Sequence, residues 1–409
     1  MKKIIIFVFV IFSISLLAQQ TGTVQRERAI MRSGPGSIYE IIAELAKGST
    51  FSILEEEDGW LNIKMEDLNG YVSQKVIQER KAADDIFAQM GTQKTTLRVS
   101  RHGMSAGVKG FAERFTRKFD GSPSFVDVYV TFQLNPKEYK YFRKETYKNL
   151  NRKKNYKNVL IPASKVKDYF SFPEEGLGIG IASNIASLGI YNDPALTHYV
   201  NSVGNIVVEA TDVYDINYKF FILDTDKVNG YACPGGIVFI TRGMMELVRT
   251  EAELACVLAH EIAHVARHHG MVEMEERKHH IMAEDAFTDM DEEMESMGIK
   301  QDKVSKEVEA EMEELCFEIF ETVINGRLQA YEKEADELAV IFAARAGYNS
   351  RQFLTLLKRM KSSSSQSTNE HYTQEQIEKR IKLIKKAIIG SDLPDNLFDH
   401  KDRWERMGK

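Results

Sequence analysis

The chain is expected to be an α+β protein, with a small all-β barrel first and a mostly helical body with a small sheet after it. Three observations predict this. Short apolar stretches separated by Gly-rich turns recur between residues 22 and 78. From about residue 171 onward the apolar residues mostly repeat at helical spacing. The length of 409 residues leaves room for two or three domains, at roughly 150 residues each.

Composition narrows the function classes. Hydrophobic residues make up 43% and charged residues 28%, as in ordinary globular proteins. A net charge of −6 lacks the basic excess of a general nucleic-acid binder, so no nucleic-acid partner is expected. Three cysteines (Cys233, Cys256 and Cys316) are too few for a disulfide framework or a site of four thiolates.

Residues 1–19 have the pattern of a secretory leader. Lys2 and Lys3 precede an apolar run from Ile4 to Leu17, and Ala18 is followed by Gln19 and Gln20. The run is short of the roughly 20 residues of a membrane span. Export to a periplasmic or other extracytoplasmic compartment is therefore expected, with an uncleaved membrane anchor as the alternative.

Residues 22–78 carry Ala29-Ile30-Met31, the turn Ser33-Gly34-Pro35-Gly36, Asp58-Gly59-Trp60 and Gly70-Tyr71-Val72. These residues resemble a bacterial SH3-type domain, with Gly-Tyr-Val in place of the family's final Gly-Trp-Val. The resemblance implies a small β barrel that serves as a spacer or docking module, or that binds peptidoglycan or envelope proteins.

Residues 79–170 read as a partly structured connecting region. A helix is expected from Ala106 to Phe119, and a strand from Phe125 to Leu134 because Val126, Val128, Val130 and Phe132 alternate. Lys137 to Lys157 is basic and is expected to be a solvated face. Residues 171–390 form the main domain, and 391–409 a C-terminal tail. Within the main domain Ile179 to Ile190 reads as a packed helix, and Tyr218–Leu223 and Gly236–Thr241 as strands. The run from Asp289 to Glu321 is rich in carboxylates and reads as a solvated or mobile segment.

The chemistry concentrates at His260-Glu261-Ile262-Ala263-His264, inside a helix expected from about Glu251 to His268. Residues four apart share a helix face, so both imidazoles can reach one ion and Glu261 can approach water held there. A zinc peptidase needs a third protein ligand and an open position. A third histidine at the extended spacing is excluded, because Arg267 and Gly270 stand there. Glu284 or Asp285 lies about 20 residues downstream, in surroundings without small packing residues. Glu332 lies on a helix face with Ala335, Asp336, Ala339 and Ala343, whose small residues permit close approach. Two carboxylates on such a face ask for partners, a metal for Glu332 and an imidazole N–H for Asp336. Arg267, His268 and His269 read as positive charge at a helix C-terminus, and Cys256 as a small buried residue.

Several of these stretches together resemble the zinc metallopeptidases grouped with the CAAX prenyl endopeptidase and the heat-shock protease HtpX, in particular their soluble periplasmic members. The stretches are Asn192-Asp193-Pro194-Ala195-Leu196, Asn229 through Gly243, Glu253 through His264, and Glu332 through Asp336. The resemblance implies a zincin fold of the gluzincin type over about 171–390. It implies one Zn²⁺ per chain on His260, His264 and Glu332, with Glu261 as general base and Asp336 orienting a ligand. It implies a substrate-side strand containing Asn229, Tyr231, Gly235 and Gly236, with Gly230 in place of the family's usual Ala. It also implies a catalytic histidine after the third-ligand helix, for which His371 is the candidate, with Tyr372 replacing the family's Pro. The expected function is that of an exported zinc metalloendopeptidase acting on extended or unfolded protein substrates, in envelope quality control or processing. A non-catalytic chaperone or scaffold and a cell-wall-directed hydrolase are the competing readings.

Overall fold

The computed structural model describes residues 20–26, 28–57, 59–77, 121–148, 150, 159, 161, 172–213, 216–270, 320, 323, 329–363 and 373–408. The leader, the helix expected at 106–119 and nearly all of the acidic run lie outside these residues. So do Cys316 and His371.

The N-terminal region is a six-stranded antiparallel sheet in the order β1-β4-β5-β6-β2-β3. Its strands are β1 (Thr21–Thr23), β2 (Arg28–Arg32), β3 (Ile41–Ala46), β4 (Thr50–Glu57), β5 (Trp60–Met65) and β6 (Leu68–Ser73). Ala29, Met31, Leu45, Phe51, Ile63 and Val72 point inward and form its own core. Alternation along β3, where Ala43 and Leu45 are buried between half-buried neighbours, supplies part of that core.

Two helices connect this sheet to the body: α1 (Pro123–Thr131) and α2 (Pro136–Thr146). The first corrects the strand expected over Phe125–Leu134. Pro123 sits in the first turn, where its missing N–H costs nothing. Phe125, Val126 and Tyr129 then share a buried helical face, while Val128 is exposed. The valines thus do not lie on one face, and packing of Phe125 against Phe221 and Phe239 decides the conformation.

Of the basic stretch, Lys137, Lys140, Lys144 and Lys148 are exposed as expected, and Arg143 is the exception among its described basic residues. In α2, Arg143 is buried beside Glu209 at 3.4 Å, and Tyr139 donates to the same carboxylate at 2.8 Å. Arg143 also donates to the Pro35 carbonyl at 3.4 Å, and Ser37 donates to Asn205 at 3.0 Å. The Gly-Pro-Gly turn of the β module is thereby seated on the helical body through α2.

The body contains α3 (Phe172–Ile185), α4 (Pro194–Ala210), β7 (Lys219–Leu223), β8 (Gly230–Ala232), β9 (Ile237–Thr241) and α5 (Arg242–Leu247). It continues with α6 (Glu251–Ala266), α7 (Gln329–Arg345), α8 (Gln352–Ser363), α9 (Gln374–Gly390) and α10 (Lys401–Arg406). Its sheet has the order β7-β9-β8, with β7 and β9 parallel and β8 antiparallel to β9. Both faces are covered. Phe220, Ile222, Val238 and Ile240 enter one core with α4 and α6, and Phe221, Ile237 and Phe239 enter a second core with α1 and α3. Burial on both sides explains why these strands read as continuous apolar runs.

Residues beyond 390 are not a loose tail. Trp404 is buried in the main core, and Arg403 reaches Glu251 at the start of α6. No helix among the described residues is long and apolar enough to cross a membrane.

Candidate metal centre

The helix α6 begins at Thr250, whose hydroxyl accepts the Glu253 N–H at 3.1 Å. Every one of its residues is buried, so it is held on all sides by packing. Its neighbour α7 contributes Ala335, Ala339 and Ala343, all fully buried. Without bulky side chains at these positions the two helices approach closely.

That approach brings His260, His264 and Glu332 to one point. The two Nε2 atoms lie 3.2 Å apart. Glu332 straddles them, with one oxygen 3.4 Å from the His260 Nε2 and the other 3.4 Å from the His264 Nε2. Two ligands about 2.0–2.1 Å from a tetrahedral zinc are separated by about 3.4 Å. The 3.2 Å between the histidine nitrogens is close to that figure, the carboxylate presents one oxygen to each ring, and one donor atom from each of the three residues falls within 4.8 Å of the others. Three electron-pair donors converging in a mostly buried place also call for a cation to share. The residues present therefore fit a metal ion of the zinc type.

Each histidine is held from behind. The Asp336 carboxylate lies 3.0 Å from the His260 Nδ1, and Arg380 of α9 grips it with two hydrogen bonds of 2.8 and 2.9 Å. Burial disfavours a charged His260, but Asp336 and Glu332 outweigh it and raise its pKa from 6.5 to about 10. Burial would likewise raise both carboxyls. His260 and Arg380 overcome this for Glu332, and Arg380 and His260 for Asp336, so both stay below their ordinary values. On the other side, the His264 Nδ1 lies 2.9 Å from the His269 Nδ1.

Glu261 is buried and points to the small sheet. A Cβ on Gly230 of β8 would overlap the Glu261 carboxylate, so the glycine leaves the space that this side chain fills. Gly230 is itself paired with Ile240 in the β8–β9 register.

The expected substrate strand divides on inspection. The central strand β9 is flanked on both sides, and the outer edge of β7 is bridged by Ile190. The edge that faces α6 is that of β8. Asn229 opens it, tied through its backbone to Thr241 at 3.0 Å. Tyr231 turns into the second core. Gly235 and Gly236 lie in the buried 3-10 turn that joins β8 to β9, with φ of 83° and 86°.

Three residues at the site escaped the sequence reading. Arg380 is 44 positions from Asp336, and only the packing of α9 on α7 joins them. Arg267 and His269 stand at the helix end, as expected, but their partners were not foreseen. Both are buried, and Arg267 lies 3.2 Å from Glu334 on α7. Cys256 faces the Ser350 carbonyl at 3.9 Å rather than the ligands, and burial pushes its thiol pKa up. Cys233 is buried as well.

Two protein-family models match the chain: peptidase family M48 over residues 194–388, and the bacterial SH3 domain over residues 27–78. Among curated proteins, the beta-barrel assembly-enhancing protease of Yersinia pestis is 37% identical over 93 residues, which is 23% of this chain and 19% of that protein. The protein of the same name from Escherichia coli is 35% identical over 92 residues, 22% of this chain and 19% of its own length. The mitochondrial metalloendopeptidase OMA1 of Schizosaccharomyces pombe is 25% identical over 157 residues, 34% of this chain and 45% of its own length. The chain thus spans about a fifth of the length of the first two relatives and under half of the third.

Proposed function

With residues 194–388 a peptidase family M48 domain and residues 27–78 a bacterial SH3 domain, we propose that the chain is a zinc-dependent metalloendopeptidase cleaving extended or unfolded protein segments. The observation that carries this is the convergence of His260, His264 and Glu332, one donor atom from each within 4.8 Å of the others, with both histidines on the helix that carries Glu261.

Zinc held by these three residues would supply Lewis acidity, polarising a carbonyl and acidifying water. Glu261 takes the proton of the attacking water and passes it to the leaving amine. Gly230 leaves room for its carboxylate beside β8. The substrate backbone adds to the β8 edge from Asn229 to Ala232, which selects extended chain over particular side chains. Asp336, fixed by Arg380, orients His260. His371 stays a candidate donor to the substrate, outside the described residues.

Relatives named for enhancing β-barrel assembly support a role in protein quality control or processing in the cell envelope, as does the leader-like start. The SH3 module serves as a docked part of the enzyme, since its Pro35 and Ser37 are engaged by α2 and α4.

Metal analysis of the purified full chain tests the reading. One zinc per chain is expected, and Glu332→Ala is expected to lose it while keeping its helical signal. Zinc at 100 times its dissociation constant should stabilise the chain by about 2.7 kcal/mol, visible as a fall in melting temperature on chelation. A chain that binds no zinc refutes the proposal.

Gly230→Ala is a second check. The added Cβ displaces the Glu261 carboxylate and not the backbone. A misplaced catalytic group costs up to about 100-fold in rate, so cleavage should fall by about 10- to 100-fold at an unchanged melting temperature. Unchanged cleavage would mean that Glu261 acts from some other position.

A further inference from the structure

The zinc-type site has an asymmetry in its support. The His260 Nδ1 faces a carboxylate, whereas the His264 Nδ1 faces a second imidazole. The local backbone produces this. The helix α6 ends at Ala266, and the chain then turns back through His268, whose φ is 52°. A non-glycine residue with positive φ is uncommon. The reversal returns His269 beneath His264, five residues earlier.

His269 is then enclosed. It is 1% exposed, and its ring centroid lies 5.0 Å from that of His264 at an interplanar angle of 77°. On its other side lies the Tyr331 ring, 4.7 Å away and next in sequence to Glu332. Its Nε2 is 3.5 Å from the Glu334 carboxylate on α7. His269 therefore stands between the two helices that carry the ligands.

The protonation pattern follows from the geometry. The His264 Nε2 points at Glu332 and at the His260 Nε2, so its lone pair belongs to the metal position. The hydrogen of that ring must then sit on Nδ1. Two nitrogens 2.9 Å apart in a buried place need one hydrogen between them. We propose that His269 is the positioning partner of His264: its Nδ1 accepts the His264 Nδ1–H, which fixes the tautomer and ring orientation of that ligand. Its own hydrogen sits on Nε2, toward Glu334. This inference rests on the metal-centre reading above. It adds that one ligand is supported by an anion and the other by a neutral ring, which limits the negative charge gathered around the metal.

The test compares His269→Phe with His269→Gln in the full chain. Phe keeps a ring of similar shape against Tyr331 and removes the acceptor. Gln restores an acceptor oxygen. Zinc affinity is read by competition with a chromophoric chelator, melting temperature in the zinc-free state, and the His264 tautomer by proton–nitrogen correlation spectra of labelled imidazoles. Loss of such an outer hydrogen bond typically weakens metal binding by about 10- to 100-fold. We expect that loss for H269F, with recovery in H269Q, a zinc-free melting temperature close to wild type, and an Nδ1–H His264 in the wild-type chain. Wild-type zinc affinity in H269F overturns the partner role while leaving the metal centre intact. Equal losses in both variants, or an Nε2–H His264 with zinc bound, also overturn it. A wild-type chain without zinc affinity overturns the metal-centre reading itself, and this inference with it.

Discussion

Glu261→Gln is expected to lower peptide hydrolysis by about 10²–10⁴-fold, the usual contribution of a positioned acid–base group. Gln has the same length and can occupy the same space beside Gly230. It cannot take up a proton from water. Glu261 is not one of the three converging ligands, so the variant should bind zinc like the wild type. It is buried on a helix enclosed on all sides, and the substitution removes a charge without changing shape, so the melting temperature should hold. The measurement is cleavage of an unfolded, fluorescently quenched protein by the variant, with its zinc content determined on the same sample. Undiminished cleavage would remove Glu261 from the mechanism. A parallel loss of zinc and activity would instead assign it a role in holding the metal.

The site was legible in the sequence where one helix supplies several of its parts. His260, Glu261 and His264 follow from a spacing of four on a helix. Glu332 and Asp336 follow from a second such spacing on a face of small residues. Arg380 and His269 do not follow, because their partners are set by how α9 packs on α7 and by a reversal at His268. Nothing in the histidines after Ala266 distinguishes a solvated helix end from a buried turn. The β module was legible for the same local reason, since alternation and turn residues specify its strands. Its seat on the body was not. The buried Arg143–Glu209 contact comes from residues that look alike whether they face water or a neighbouring element. The run from Phe125 fits both a period of two and a helical face, and Pro123 was the local signal that favoured the helix. The fate of the C-terminal residues was equally hidden, because Trp404 and Arg403 find their places only once α6 and α4 are assembled.

That C-terminal contact carries the second large expectation. Glu251 is fully buried at the first turn of the ligand-bearing helix. It accepts hydrogen bonds from Tyr199 of α4, from Tyr348 at 2.8 Å and from the Arg403 Nε at 2.5 Å, and the Arg403 Nη2 also reaches it. Arg403 further donates to Thr146 at 3.0 Å and lies over the Phe142 ring at 4.2 Å. One guanidinium thus ties α10, α2 and the start of α6 together. Arg403→Ala leaves the Glu251 charge without its cation in a dry site, and such a loss costs about 3–5 kcal/mol. Domains are stable by about 5–15 kcal/mol, so the variant should unfold at distinctly lower urea. The double variant Glu251→Leu with Arg403→Leu separates charge from packing, because replacing both members of a buried pair by apolar groups can be close to neutral. We expect the double variant to recover a good part of the stability, and the folded fraction of R403A to keep its zinc, since the two histidine ligands lie more than two turns further along α6 and Glu332 is on α7. An Arg403→Ala chain as stable as the wild type would show that the ion pair contributes nothing and that Trp404 alone anchors the C-terminal helix.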